Sequence, residues 1–269
     1  MTKTILLTGA TDGIGLETAK LLAADGHRLL IHGRSDEKLA ATAKLLQGVD
    51  GAGQIESYRA DLSKITYVET LATAITKAHS TLDVLINNAG VFKVPNTRTE
   101  EGFDIRFVVN TLAPYLLTKR LLPLLPADGR VVNLSSAAQS PVSLDALAGK
   151  QPLDDNQAYA QSKLAITMWS TYMARSIGNN GPTIIAVNPG SLLASKMVKD
   201  AYGIDGKDIG VGADILVRAA LSSEFSNATG QYFDNDLGQF ASPHRDALNA
   251  DKNEQLILAI DEILEQPGA

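Results

Sequence analysis

Lys3-Thr4-Ile5-Leu6-Leu7-Thr8-Gly9-Ala10-Thr11-Asp12-Gly13-Ile14-Gly15 opens as a short apolar run and closes on three glycines. The run reads as a strand. From residue 14 to 24 the apolar side chains fall at 14, 16, 19, 21, 22 and 23, which reads as a helix. Strand, glycine turn and helix, in that order, make the context of a dinucleotide-binding turn. Glycines let backbone approach a pyrophosphate, and the free N–H groups at the helix start receive its charge. Gly9, Thr11, Asp12, Gly13, Ile14 and Gly15 are therefore candidate cofactor contacts. The spacing is G-x-x-x-G-x-G; Thr18 stands where the more common G-x-G-x-x-G pattern has its last glycine. Alone, the segment also fits an ordinary βα turn.

The same alternation continues outward. Strand-like runs at 28–32, 54–59, 82–86, 130–134 and 183–187 are separated by helical patterns at 36–46, 65–78, 102–122 and 157–177. Regular βα alternation predicts an α/β fold: one Rossmann-type, doubly wound parallel sheet with helices on both faces, forming a single dinucleotide-binding and catalytic domain over residues 1–269. Ligands then bind beyond the carboxyl ends of the strands. Two segments break the pattern. Residues 137–156 are turn-rich, with Pro141, Pro152 and Asp154-Asp155, and residues 191–212 show no strand signal. Loops of this length are usually functional, and both are expected to flank the substrate pocket. The tail predicts a last strand at 229–234, a loop, and a helix at 242–264.

Tyr159-Ala160-Gln161-Ser162-Lys163 puts a phenol and an ammonium four residues apart, on one face of a helix. A free Tyr hydroxyl titrates near ~10, and a fixed neighbouring positive charge lowers that value. Such a pair is an acid–base catalyst, though an isolated Tyr-x-x-x-Lys is often only a solvated surface pair.

Composition narrows the classes. With 45% hydrophobic residues the chain can bury a large core, and a net charge of −6 argues against nucleic acid or an anionic lipid surface as partner. There is no cysteine, so disulfides, thiolate catalysis and zinc–thiolate sites are excluded. The four histidines, at 27, 32, 79 and 244, show no metal-ligand spacing and are expected on the surface or in packing; no metal site is predicted. No apolar run approaches ~18 residues, and the first strand starts near Lys3, so the expectation is a cytoplasmic protein without a membrane span or signal peptide.

Taken together, the glycine turn, Asp61-Leu62, Asn87-Asn88-Ala89-Gly90, Asn110, Ser135-Ser136, the Tyr159/Lys163 pair and Pro189-Gly190 occur in an order and spacing that resemble the short-chain dehydrogenase/reductase family. The resemblance covers essentially the whole chain. It implies Tyr159 as general acid/base, Lys163 as the cation that lowers the Tyr pKa and holds the nicotinamide ribose, and Ser136 as the hydroxyl that steadies the substrate oxygen. Ser135 should face the other way by strand alternation. Asn110 is implied to hold a water near Lys163, with a structural hydrogen bond as its other reading. Asp61 and Leu62 are implied near the adenine, and Asn88, Ala89, Gly90, Pro189 and Gly190 along the cofactor. Members often have Thr four residues after the Pro-Gly glycine; here Ala194 stands there, and Ser195 is the substitute expected. The long interval from Ser136 to Tyr159, with residues 229–233, looks like the branch of retinol-dehydrogenase-like and protochlorophyllide-reductase-like enzymes.

At the end of the second strand-like run, Leu30-Ile31-His32-Gly33-Arg34-Ser35 has no carboxylate to bind a ribose 2′-hydroxyl. Arg34 offers a planar fork for a 2′-phosphate and Ser35 a hydroxyl, so NADP(H) is expected over NAD(H), with Asp12 mildly opposing. The expected function is hydride transfer between nicotinamide and a small-molecule carbonyl or alcohol. Reduction of an enone C=C bond, or a non-catalytic NADP(H)-sensing module, are the alternatives. Relatives often dimerise through the helices at 102–122 and 157–177, so a homo-oligomer is expected. Trp169 is expected to pack against core or a subunit, and Asp154-Asp155 to lie in a solvated loop.

Overall fold

The computed structural model describes residues 1–266. Eight strands, β1 (Thr4–Leu7), β2 (Arg28–Gly33), β3 (Ile55–Arg59), β4 (Val84–Asn87), β5 (Arg130–Leu134), β6 (Thr183–Asn188), β7 (Tyr232–Asp234) and β8 (Gln239–Ala241), form one sheet in the order β3-β2-β1-β4-β5-β6-β7-β8. β1 to β7 pair in parallel; β8 returns antiparallel on β7. The central strands are buried on both sides, which is why their sequences are apolar runs without alternation.

Strand periodicity divides those runs between two cores. Leu6, Leu30, Leu85, Val131 and Ile184, adjacent in register, face α3 (Ile65–Ala78), α5 (Ala113–Leu121) and α7 (Asp155–Ile177). Ile5, Leu7, Ile31, Ile86, Val132 and Ile185 face α1 (Gly13–Ala24), α2 (Asp36–Gln47) and α9 (Gly210–Leu221). A polar ladder crosses the first core: Asn87 Nδ2 donates to Asn133 Oδ1 at 2.8 Å and to Thr118 Oγ1 at 3.0 Å, and Asn133 Nδ2 donates to Ser170 Oγ at 2.8 Å. It pins β4, β5, α5 and α7 in register, and α7 carries Tyr159 and Lys163.

Several elements depart from the sequence-based expectation. The helix expected at 102–122 starts at Ile105 and is interrupted: α4 (Ile105–Phe107), a π turn (Val108–Leu112) centred on Asn110, then α5, ending in a 3₁₀ turn at Pro123. π turns inside helices are frequent at functional sites. The segment 191–212 contains α8 (Lys196–Tyr202) and the start of α9, a full helix that its glycines had concealed. A Cβ at Gly212 would stand 2.5 Å from Leu193 Cδ1 and 3.4 Å from Ile14 Cδ1, so any side chain there would have to displace the tip of Leu193. β8 replaces an expected loop, and the last helix is α10 (Ala250–Leu264), capped by Asn249 after a 3₁₀ turn. Residues 137–156 hold one short helix, α6 (Leu144–Leu147), capped by Ser143.

Asp154 and Asp155 are not a solvated loop. Asp154 caps α7, accepting from Gln157 N at 2.8 Å, and Asp155 pairs with the fully buried Arg106, which Asp104 also grips in bidentate fashion. Every residue from Gln161 to Thr171 is buried, on all faces of α7, under elements of this chain that include α10. Trp169 is core, edge-on to Tyr115 at 5.7 Å between ring centroids.

Candidate active site

A cleft of about 1090 Å³ runs along the carboxyl ends of the parallel strands. Its walls include Gly9, Thr11, Asp12, Gly13, Ile14, Gly15, Arg34, Ser35, Asp61, Leu62, Asn88, Ala89, Gly90, Ser136, Tyr159, Lys163, Pro189, Gly190 and Ser195. Of the candidate catalytic and cofactor-binding residues, Asn110 alone is not in the wall. It sits directly behind it.

The glycine turn is held from three strands. Thr8 Oγ1 accepts from Asn88 N and Ala89 N, both at 3.0 Å, and Asn88 Nδ2 donates to Thr8 O at 2.8 Å and Gly9 O at 3.1 Å. Gly9 takes φ +68, and a Cβ there would meet Ala89 Cα at 2.9 Å. At Gly15 a Cβ would lie 2.1 Å from Gly9 O. The turn therefore needs both glycines for its own closure as well as for any ligand. Gly13 (φ +55) is different: a Cβ there would meet nothing nearer than 3.8 Å, so this glycine opens toward the cleft. Asp12 caps α1 through Gly13 N at 2.8 Å.

The histidine at 32 was given only a surface or packing role, yet it is a strut of this turn. Buried at the end of β2, its Nδ1 accepts from Gly9 N at 3.2 Å and its Nε2 donates to Ala60 O at 3.1 Å. Burial pushes its pKa down to about 4, against a partly opposing backbone bond and Asp61, so it is neutral at pH 7.

At the far end of the turn Arg34 is exposed, and among the described residues its guanidinium has no ion pair. Ser35 caps α2, accepting from Lys38 N at 3.3 Å, which leaves its hydroxyl proton free to donate. Lys38, not anticipated, also lines the cleft and lies 3.6 Å from Asp12, partly neutralising the carboxylate that opposed a phosphate here. Asp61 turns Oδ1 to Ser63 N and Oγ.

At the other end stand Ser136, Tyr159 and Lys163. Lys163 is buried, its Nζ donating to Leu134 O at 2.7 Å and lying 5.7 Å from the centroid of the Tyr159 ring. Burial lowers its pKa to about 8, and no carboxylate pairs with it among the described residues. Gly90 lies beside this ammonium, where a Cβ would stand 3.5 Å from Lys163 Nζ. Ser136 Oγ accepts from Ala138 N at 3.1 Å and keeps its proton to give. Ser135 faces away, bonded to Lys163 O at 3.0 Å and Thr167 Oγ1 at 2.7 Å. Phe92 packs on Tyr159 at 4.6 Å between centroids.

Asn110 does not present a free amide. Its Oδ1 accepts from Val91 N at 2.8 Å, and its Nδ2 donates to Val91 O and Ser162 Oγ, both at 2.9 Å. These bonds fix the backbone just after Gly90, the structural role weighed for Asn110 in the sequence. Ser195 caps α8, accepting from Val198 N at 3.3 Å.

Comparison with known proteins agrees with this arrangement. Residues 3–202 match the family model described as short chain dehydrogenase. The chain is 32% identical over 258 residues to human retinol dehydrogenase 13, covering 86% of this chain and 76% of that protein. It is 32% identical over 251 residues to human polyprenol dehydrogenase, with the same coverages. Among solved structures, an uncharacterised protein from Mycobacterium paratuberculosis superposes with a TM-score of 0.81 at 27% identity, covering 99% of this chain and 95% of that one. The angucycline C-6 ketoreductase LanV, solved with NADP bound, has a TM-score of 0.70 at 26% identity, covering 87% and 93%. The chain belongs to the short-chain dehydrogenase/reductase family, in its retinol-dehydrogenase-like branch, and is an NAD(P)-dependent oxidoreductase of alcohol and carbonyl substrates.

Proposed function

We propose that this enzyme is an NADP(H)-dependent carbonyl reductase or alcohol dehydrogenase in which Tyr159 moves the proton. The observation that carries the reading is the buried Lys163 ammonium, without a carboxylate, beside the Tyr159 ring. An uncompensated cation in a desolvated site favours the phenolate of its neighbour. At neutral pH, below its lowered pKa of about 8, Lys163 keeps that charge.

The cleft fits the cofactor. The three-strand glycine turn at the start of α1 suits the pyrophosphate, Arg34, Ser35 and Lys38 surround a position for a 2′-phosphate, and Lys163 reaches the end where a nicotinamide ribose would lie. When bound, the nicotinamide gives or takes the hydride. Ser136 donates its hydroxyl proton to the substrate oxygen. Tyr159 then delivers its proton to that oxygen in reduction, or removes it in oxidation, while Lys163 offsets the charge that develops on the phenol. Beyond Tyr159 the cleft is walled by Phe92, Val94, Pro95, Ile105, Val109 and Met197, which suits an apolar substrate.

Tyr159→Phe tests the assignment. Loss of the proton-transfer group is expected to cut kcat about 10²–10⁴-fold, with NADPH affinity by fluorescence titration unchanged. Wild-type turnover by the variant would overturn it. Product analysis with an enone separates carbonyl reduction from C=C reduction.

A further inference from the structure

The family match ends at residue 202, and the β7–β8 hairpin lies beyond it. Yet the turn of that hairpin is bonded to Asn188, Pro189 and Ser191, and through Asn188 to Gly190, in the segment that carries Pro189-Gly190 along the cleft wall. Asp236 receives both protons of Ser191: the hydroxyl donates to Oδ2 at 2.5 Å and the amide to Oδ1 at 2.9 Å. Asn188 Nδ2 donates to Asp236 Oδ2 at 3.0 Å and to Asp234 Oδ1 at 2.9 Å, while Asn188 Oδ1 accepts from Gly190 N at 3.2 Å. Asn235 completes the staple, its Nδ2 donating to Pro189 O at 2.9 Å and its amide to Asn188 O at 3.1 Å.

These bonds concentrate on one group. Partial burial alone would push the Asp236 carboxyl up, but Ser191, Asn188 and Lys207 (Nζ at 4.0 Å) outweigh it and hold it below the usual carboxylate range. Two amide or hydroxyl protons on one side and a third on the other need an ionised carboxylate. A neutral side chain of the same shape has one acceptor oxygen where two are used.

We propose that Asp236 is a positioning residue for the nicotinamide half of the cofactor: from the hairpin turn it fixes Ser191 directly, and Gly190 through Asn188, so that the 189–190 backbone stands ready at the cleft wall. This rests on the reading that Pro189 and Gly190 border the nicotinamide end. The adenosine end is built on β1, β2 and α2, and owes nothing to Asp236. The two halves of one ligand should therefore respond differently to its loss.

The experiment compares Asp236→Asn, Ser191→Ala and Gly190→Ala with the unaltered protein, using NADPH and adenosine 2′,5′-bisphosphate, which has the 2′-phosphate and adenosine but no nicotinamide. Loss of hydrogen bonds to a charged group is expected to raise KM and Kd for NADPH about tenfold in Asp236→Asn. The Kd for adenosine 2′,5′-bisphosphate stays at the unaltered value, and kcat at saturating NADPH changes far less than KM. Ser191→Ala moves the same way by a smaller factor. Asp236→Ala repeats the comparison should the Asn variant fold poorly. If Asp236→Asn weakens both ligands equally, or neither, the proposal is overturned and the carboxylate is merely structural. Gly190→Ala tests the underlying reading: with φ +116 at that glycine a side chain strains the wall itself, and NADPH should weaken selectively. Undiminished NADPH affinity in Gly190→Ala would remove the reading and the proposal together; selective weakening there without it in Asp236→Asn removes only the proposal.

Discussion

The glycine turn and the 189–212 lobe face each other across one cleft, but they are built in opposite ways. The turn is locked into the sheet itself: Thr8 N donates to Ile86 O and Ala10 N to His32 O, the side chains of Thr8 and Asn88 tie it to the end of β4, and a single added carbon at Gly15 would overlap Gly9 O. The lobe hangs on the hairpin turn through the side chains of Asn188, Asn235 and Asp236, and is closed on itself by Lys207 N to Leu192 O and Ala194 N to Lys207 O, both at 2.7 Å. Leu192, at φ +57, is the sole non-glycine with positive φ among the described residues. A pyrophosphate at a helix start asks for a close bare backbone, and the sheet supplies it rigidly. A substrate wall has no such common demand, and this chain solves it with its own hairpin.

The sharpest way to break that contrast is Gly15→Ala. Its Cβ would lie 2.1 Å from Gly9 O and 2.5 Å from Asn88 Nδ2, with no flexible atom to yield on the backbone side. Overpacking of this kind is expected to weaken NADPH and adenosine 2′,5′-bisphosphate alike, by about a hundredfold, read by fluorescence titration and calorimetry. Retained affinity for the bisphosphate would mean the turn is as pliable as the lobe.

Acid should reach the turn next. His32 binds no proton in the folded protein until about pH 4, whereas an unfolded chain takes one near 6.5. Between those values the unfolded state binds more protons, so stability falls as pH falls, by roughly 3 kcal/mol across the window. Urea unfolding at a series of pH values checks this; in His32→Asn that part of the slope should vanish. In the lobe, Gly206→Ala is the matching perturbation. At φ +79 its Cβ would meet Ala194 Cα at 2.7 Å and Leu192 O at 2.8 Å. The lobe is expected to open rather than the protein to unfold, raising substrate KM about tenfold through one strained residue, with bisphosphate affinity unchanged.

The same contrast explains how much was legible in the sequence. The sheet strands, the glycine turn and the Tyr159–Lys163 pair could be read because few residue types satisfy their geometry; alternation turns Ser135 and Ser136 to opposite faces, and the family resemblance chose Ser136 between them. α9 could not be read, since Gly210 and Gly212 lower helix propensity and only the approach of Ile14 and Leu193 explains the second of them. His32 and Asp236 act through bonds to residues 23 and 45 positions away, which no local pattern records. For Asn110 the sequence names the residue, but not that its side-chain amide is bonded to both backbone groups of Val91.

The smallest effect is expected where neither mode of construction applies, at the adenosine rim. Arg34 stands in solvent without an ion pair among the described residues, so a 2′-phosphate would meet it without displacing a protein partner, but screened by water and salt. Arg34→Ala is expected to weaken NADPH roughly fivefold, less than a desolvated charged contact would give, and to leave NADH unchanged. Lys38→Ala should do less still, because its ammonium is shared with Asp12 at 3.6 Å and is itself exposed to solvent. Raising the salt concentration should shrink the NADPH-over-NADH ratio of the unaltered enzyme toward that of Arg34→Ala. Equal losses for both nucleotides in Arg34→Ala would place the residue against the shared adenosine, and the selectivity would then have to come from Ser35 and the start of α2.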